Sequence, residues 1–231
     1  SWFELAALRK TRKWWWFSPA DPPGMTPFVS GLAVSPTTPN VILVGIELGA
    51  VMRSEDGGKT WSKHLSGSDR DCHSLKFHHT DGDWVYEGGG ISGHAFSIDG
   101  GKTWQKSKRG LGTKYGWMVA SDPERPEVWY LSASNQPNLL KGEFKPPAHQ
   151  DGQANAHIFR KIDQEPWEQL AGGLPDPLNY MAYDLVTDPA YPGHLYTGLA
   201  NGEVWHTRDY GDHWERLPFN LGGIHNSMIV I

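Results

Sequence analysis

Three stretches of the chain share one set of chemistry-bearing residues. "SEDGGKTW" occupies 54–61, "SIDGGKTW" 97–104 and "TRDYGDHW" 207–214. Each presents a hydroxyl (Ser54, Ser97, Thr207) and, two residues on, a carboxylate (Asp56, Asp99, Asp209). A glycine (Gly58, Gly101, Gly211) and a closing tryptophan (Trp61, Trp104, Trp214) complete each copy. Such carboxylates could bind a metal or act as acids and bases. They could equally accept hydrogen bonds from the amides of their own turn and so lock it. A calcium loop of the EF-hand kind needs acidic groups at alternate positions closed by a glutamate, and no copy has that pattern. Glycine supplies the positive φ of a tight turn, and tryptophan opens the next strand with a large apolar face. The box therefore reads as a rigid hairpin connector. A decayed fourth copy, "KIDQEPW", keeps Asp163 and Trp167 but has no glycine.

Other chemistries find less support. The chain has 11 histidines, with a pair at 78–79, yet no H-x-x-x-H or H-E-x-x-H spacing. No metal and no cofactor are expected from that pattern. The single cysteine, Cys72, lies between Asp71 and His73. Neighbours on a strand point to opposite faces, so His73 would not activate the thiol, and Cys72 reads as a small buried hydrophobe. No G-x-S-x-G elbow occurs.

The elements that must carry these residues repeat with them. Before each box lies a strand, a turn rich in Pro, Asp or Gly, a second strand, a glycine-bearing loop and a third strand; a fourth strand follows the tryptophan. Asp99 follows Asp56 by 43 residues and Asp209 follows Asp163 by 46. The longer middle gap holds a loop-like insertion, "PPAHQDGQANAH", at 146–157. Four antiparallel strands in roughly 45 residues is the pattern of a propeller blade. The expected fold is all-β: a single propeller, with blades near 26–66, 71–109, 115–173 and 179–220. Residues 1–8 match a box closure and its fourth strand, and residues 224–231 match a first strand. Together they suggest a partial propeller drawn from six or seven blades. The alternative is a five-bladed ring in which "KWWWFSP" at 13–19 supplies extra strand. Open strand edges would permit self-association.

Bulk properties exclude some partners. The net charge of −5 is mild, and the one dense basic run, "RKTRK" at 9–13, reads as a solvated loop, so nucleic acid is not expected. No apolar run reaches the length of a membrane span. One cysteine and no visible signal peptide lean toward a cytoplasmic setting, although a chain that starts inside a blade would hide an export signal.

The S-x-D-x-G-x-x-W boxes resemble the Asp-box, or BNR, repeats of sialidase-like β-propellers. The whole chain is similar to bacterial BNR-repeat proteins grouped with photosystem assembly factors and glycosyl hydrolases. That resemblance implies boxes on one face of the propeller and a ligand face, around the channel, on the other. It would place Asp71, His73, Tyr115, Trp117, Asn179, Tyr180, His225 and Asn226 in loops between blades. Glu47, Glu87, His94, Asn135 and Asn201 would sit in the loops between second and third strands. Two of Glu47, Asp71 and Glu87 across a sugar could serve as general acid and base, while Tyr115 and Trp117 could stack on its ring. Sialidases grip a carboxylate with three arginines; here Arg53, Arg160 and Arg208 each flank a box and read as repeat architecture. The favoured function is a non-catalytic propeller holding a carbohydrate or protein partner on the channel face. The alternatives are a glycoside hydrolase using those carboxylates and an assembly factor for a larger complex.

Overall fold

The structure is a computed structural model that describes residues 4–11, 28–137, 139–142, 146–225 and 228–230. The 13–19 segment and Asn226 lie outside the described residues. The chain divides into two compact units, Ser1–Lys106 and Ser107–Ile231.

Unit 1 holds two antiparallel sheets built from consecutive strands. One contains β1 (Val29–Val34), β2 (Ile42–Ile46) and β3 (Val51–Ser54); the other contains β4 (Cys72–Phe77), β5 (Val85–Gly89) and β6 (Gly93–Ser97). Unit 2 holds two four-stranded sheets. Its first is β7 (Tyr115–Ser121), β8 (Val128–Ser134), β9 (His157–Ile162) and β10 (Glu168–Leu170). Its second is β11 (Ala182–Thr187), β12 (Leu195–Leu199), β13 (Glu203–Thr207) and β14 (Glu215–Asn220). Each sheet runs in chain order, as a blade does, and the boxes join third strands to fourth. The fold is that of an Asp-box β-propeller with about four blades.

The two blades of unit 1 depart from four full strands for a local reason. After the first box, Ser62 Oγ and His64 Nδ1 accept from the amides of Arg53 (2.9 Å) and Val51 (3.2 Å), where backbone carbonyls would ordinarily pair. Only the amides of Ser62 and Leu65 still reach β3 carbonyls. In the second blade the fourth strand shrinks to one reciprocal pair, Phe96 with Gln105, at 3.0 and 2.8 Å. The first residues also differ from expectation. Ala6–Lys10 form a short α-helix, α1, not a fourth strand, and its Leu8 packs on Val44, Ile46 and Met52. At the other end, no strand forms among the described residues beyond Asn220.

The three intact boxes share one bonding scheme. In the second, Ser97 Oγ donates to Asp99 Oδ1 (2.7 Å) and accepts from the Gly101 amide (2.9 Å). Asp99 accepts from the amides of Lys102 (3.0 Å) and Thr103 (2.9 Å) and from the Thr103 hydroxyl (2.6 Å). Trp104 donates its indole N–H to the Gly101 carbonyl at 3.1 Å, and its ring enters the core with Leu43, Val51, Leu75 and Val85. Gly101 has a φ of +81°, which favours glycine, and a Cβ there would also meet Leu43 Cδ1 at 2.8 Å. The Thr60 hydroxyl and amide hold the Asp56 carboxyl at about 2, and the His213 amide and ring do the same for Asp209. Asp99→Ala removes four accepted hydrogen bonds at once, so a loss of about 1–3 kcal/mol is expected in urea unfolding.

The decayed box is held differently. Lys161 is 2% exposed, and its ammonium donates to the carbonyls of Asp163 and Glu165, inside the turn. Asp163 takes the positive φ, 41°, that glycine supplies elsewhere. Trp167 turns its indole N–H to Ser107 O at 2.8 Å. The lysine thus replaces the hydroxyl–carboxylate scheme, and Asp163 is not the acceptor that the sequence suggested.

The box-flanking arginines also have structural partners. Arg53 donates from Nε to Gly100 O (2.8 Å) in the second box. Arg160 donates from Nη1 to Tyr210 O (3.0 Å) in the last and pairs with Asp212 at 2.8 Å. Each arginine ties its own box to the next one within the same unit.

Candidate functional site

The residues singled out for chemistry fall into two groups, one per unit. In unit 1, Glu87 does not sit in a loop as expected. It lies mid-strand in β5 and is 0% exposed, with Oε2 accepting from the Asp69 amide at 2.8 Å. Burial, with Asp69 nearby, pushes its carboxyl well above the usual range, so Glu87 is a neutral acid. His94 is likewise a buried strand residue, in β6. Glu47 lies in the turn after β2 and is half-buried.

Asp71 and His73 do meet, at 3.6 Å, but their side chains are only 13% and 5% exposed. Burial raises the Asp71 carboxyl, and His73 partly offsets that. Asp69, which no sequence signal marked, organises the cluster. Its Oδ2 accepts from Ser92 N (2.7 Å) and Ser92 Oγ (2.6 Å), and its Oδ1 accepts from Asp71 N at 3.1 Å. The run "GGG" at 88–90 makes room for it: a Cβ on Gly90 would lie 2.0 Å from Asp71 Oδ2. Burial and the neighbouring acids raise the Cys72 thiol well above its ordinary value, so it is no nucleophile at neutral pH. This cluster closes a loop; it does not open on a substrate.

Unit 2 carries the more accessible group. Tyr115 and Trp117 lie two apart on β7, where strand geometry puts them on one face. The 146–157 insertion brings a short 3-10 turn, Pro147–His149, against them. His149 bridges two phenols: Nε2 to Tyr115 OH and Nδ1 to Tyr183 OH, both at 2.8 Å. Trp117 meets the His149 and Tyr183 rings edge-on, with centroids 5.1 and 5.2 Å away. His225 approaches Tyr183 at 5.6 Å. His149 and His225 are exposed and Trp117 is half-buried, so the group faces solvent.

The bridge sets what the phenols can offer. A neutral imidazole donates from one nitrogen and accepts at the other. One tyrosine therefore donates its O–H to His149, and the other accepts from it. Burial raises the Tyr183 phenol above its ordinary value, so it stays protonated. An apolar ring surface edged by phenol hydroxyls suits a polyhydroxylated ligand.

Asn179 and Asn201 do not join this group in any bond the structure shows. Asn179 is exposed and gives its carbonyl to the Ala154 amide at 3.0 Å. Asn201 serves its own turn, with Oδ1 accepting from Glu203 N (3.2 Å) and its carbonyl from Asn220 Nδ2 (3.0 Å). Sequence reasoning missed His149 and Tyr183. His149 sat in a segment read as a bare insertion. Tyr183 carried one signal, its place in the fourth blade's first strand, the counterpart of the Tyr115 strand.

Among the described residues no group of three or more His, Cys, Asp or Glu side chains could hold a metal ion. No described helix is long and apolar enough to cross a membrane.

Comparisons with known proteins agree with the fold. A family model for the BNR/Asp-box repeat matches residues 52–63 and 95–106, the first two boxes with their flanks. The chain is thus an Asp-box-repeat protein of the β-propeller class. A comparison with curated proteins gives no match. Among solved structures, the GH74 xyloglucanase from Xanthomonas campestris superposes with a TM-score of 0.60 at 21% identity, covering 80% of this chain and 29% of that one. An ancestral GH74 enzyme gives 0.63 at 16%, covering 82% and 24%. A chain of the nidogen/laminin complex gives 0.59 at 14%, covering 84% and 66%. At these identities the likeness shows the fold alone, and this chain spans less than a third of the GH74 enzymes' length.

Proposed function

We propose that this chain is a non-catalytic Asp-box propeller that binds a saccharide through the aromatic group of unit 2. The observation that carries this reading is the Tyr115–His149–Tyr183 bridge. It fixes two phenols beside a half-exposed Trp117, an aromatic surface with polar edges. Relatives in fold include an enzyme whose name states action on xyloglucan, which makes a glycan a reasonable ligand class. The glycoside hydrolase alternative has less to stand on. One of its three candidate carboxyls, Glu87, is fully buried, and Asp71 is mostly buried against His73.

The test is binding of the purified chain to a glycan array, followed by titration calorimetry on the best ligand. Trp117→Ala is expected to weaken binding about 10–100-fold, and Tyr183→Phe about 3–10-fold. An unchanged Kd in folded Trp117→Ala protein would overturn the site. Turnover of chromogenic glycosides, lost in Asp71→Asn, would overturn the non-catalytic reading.

Self-association also belongs to this proposal, on a face rather than an edge. Pro218 interrupts the outer strand β14, which hinders edge pairing. An apolar groove of about 690 Å³ lies on the same sheet, lined by Val186, Leu217, Phe219 and Leu221 among others. Exposed Leu32 and Val34 of β1 offer a second copy a matching apolar face. Sedimentation coefficients rising with protein concentration would support this, and a constant monomer value would refute it.

A further inference from the structure

Beside the aromatic group, unit 2 contains a cavity of about 500 Å³ with a different character. Five carboxamides line it: Asn135, Gln136, Gln150, Gln153 and Asn155. Two lysines, Lys114 and Lys141, also line it, and among the described residues no carboxylate does. The cavity is continuous in sequence with the aromatic group on three sides. Lys114 precedes Tyr115, Asn135 follows Ser134, the ladder partner of Tyr115, and Pro147 and Gln150 flank His149.

One wall residue is unusual. Thr113 is 6% exposed, and its hydroxyl oxygen has no hydrogen-bond partner. A buried hydroxyl without a partner is costly, so a ligand or its water that supplies one is favoured. Carboxamides both donate and accept, which matches hydroxyls that do the same. Two ammonium groups with no acid among the lining residues add a preference for negative charge.

We propose that this cavity holds a hexuronate unit of the glycan. The carboxamides read the sugar hydroxyls, and Lys114 and Lys141 pair with its carboxylate. This deepens the proposed function and rests on it, because the neighbouring sugar would lie on the aromatic group. No bond is made or broken in this step; it is recognition alone.

The test titrates the purified full chain with tetramers of galacturonate and glucuronate and with their carboxyl-reduced, neutral counterparts. At least one uronate is expected to bind about 10-fold or more tightly than its neutral counterpart, roughly 1.4 kcal/mol. The exposed pair Lys114→Gln/Lys141→Gln should abolish that preference, so that the uronate and its neutral counterpart bind this variant alike. High salt should shrink it in the wild-type chain. Trp117→Ala should weaken both forms equally. Equal affinity for uronate and neutral forms, both weakened by Trp117→Ala, would overturn the hexuronate assignment and leave the aromatic site standing. Binding of no saccharide at all would overturn both. Poly-glutamate competing as well as the uronate would show that the lysines read charge without sugar, and would also overturn it.

Discussion

Gly45→Val is expected to unfold residues 1–106, or to cost them about 3 kcal/mol or more. Gly45 on β2 sits opposite Gly31 on β1, and the two glycines let the first sheet close onto β4. A Cβ at Gly45 would lie 2.2 Å from Cys72 Sγ and 2.8 Å from Cys72 Cβ. One at Gly31 would lie 2.7 Å from Leu75 Cβ. Cys72 cannot step aside. It is fully buried, its carbonyl accepts from Ser30 Oγ, and it shares a core with Ala33, Leu43, Val51 and Leu75. The Cβ atoms of Cys72 and Leu75 are fixed to their strands, so rotamer changes cannot relieve those contacts. Urea unfolding followed by tryptophan fluorescence should show the early loss. A cycle with Gly45→Ala and Cys72→Ala gives a sharper check. Removing the sulfur relieves the worst contact, so the double variant should recover part of the stability that Gly45→Ala loses. A stable Gly45→Val protein would mean that the two sheets are not packed this closely.

Glu87→Gln should do the reverse and stabilise unit 1 at neutral and alkaline pH. Glu87 is held neutral by burial, and its proton stays on in the native state at pH values where the unfolded chain has released it. A raised native pKa contributes stability that is complete below the ordinary glutamate value. That stability is lost steadily as pH climbs toward the raised value. Glutamine keeps the shape, still accepts from the Asp69 amide and has no proton to lose. The melting temperature of Glu87→Gln should therefore match wild type near pH 4 and exceed it by several degrees near pH 8. Glu87→Ala should lose about 2–4 kcal/mol near pH 4, because it opens a cavity and orphans the Asp69 amide, and that deficit should shrink as pH rises. Parallel pH profiles for Glu87→Gln and wild type would show that Glu87 is ionised in the native state.

These two variants probe what spacing alone could not show. The boxes were legible because their bonds are local. Ser97, Asp99, Gly101 and Trp104 satisfy one another within a single turn, so residue order is enough to specify the geometry. The decayed box was legible as a copy, but the bonds that hold it were not. The Lys161 ammonium reaches two carbonyls within four residues, yet a lysine is usually read as a surface residue.

The candidate site was only half legible. Tyr115 and Trp117 announced themselves as neighbours on one strand face. His149 and Tyr183 lie 34 residues from their partners along the chain, and only the folded blade brings the imidazole between the two phenols. Glu87 was misplaced for a related reason. "EGGG" reads as a loop, but the glycines serve close packing inside and beside β5, and they bury the acid they flank.

By itself the sequence determined the blade. A hydroxyl, a carboxylate, a glycine and an indole at fixed offsets satisfy a hairpin from within, and period-two strands on either side complete the sheet. The tertiary structure decided which polar groups are open to a ligand. Burial and long-range hydrogen bonds depend on which strands come together, and that made a neutral acid of Glu87 and a bridge of His149.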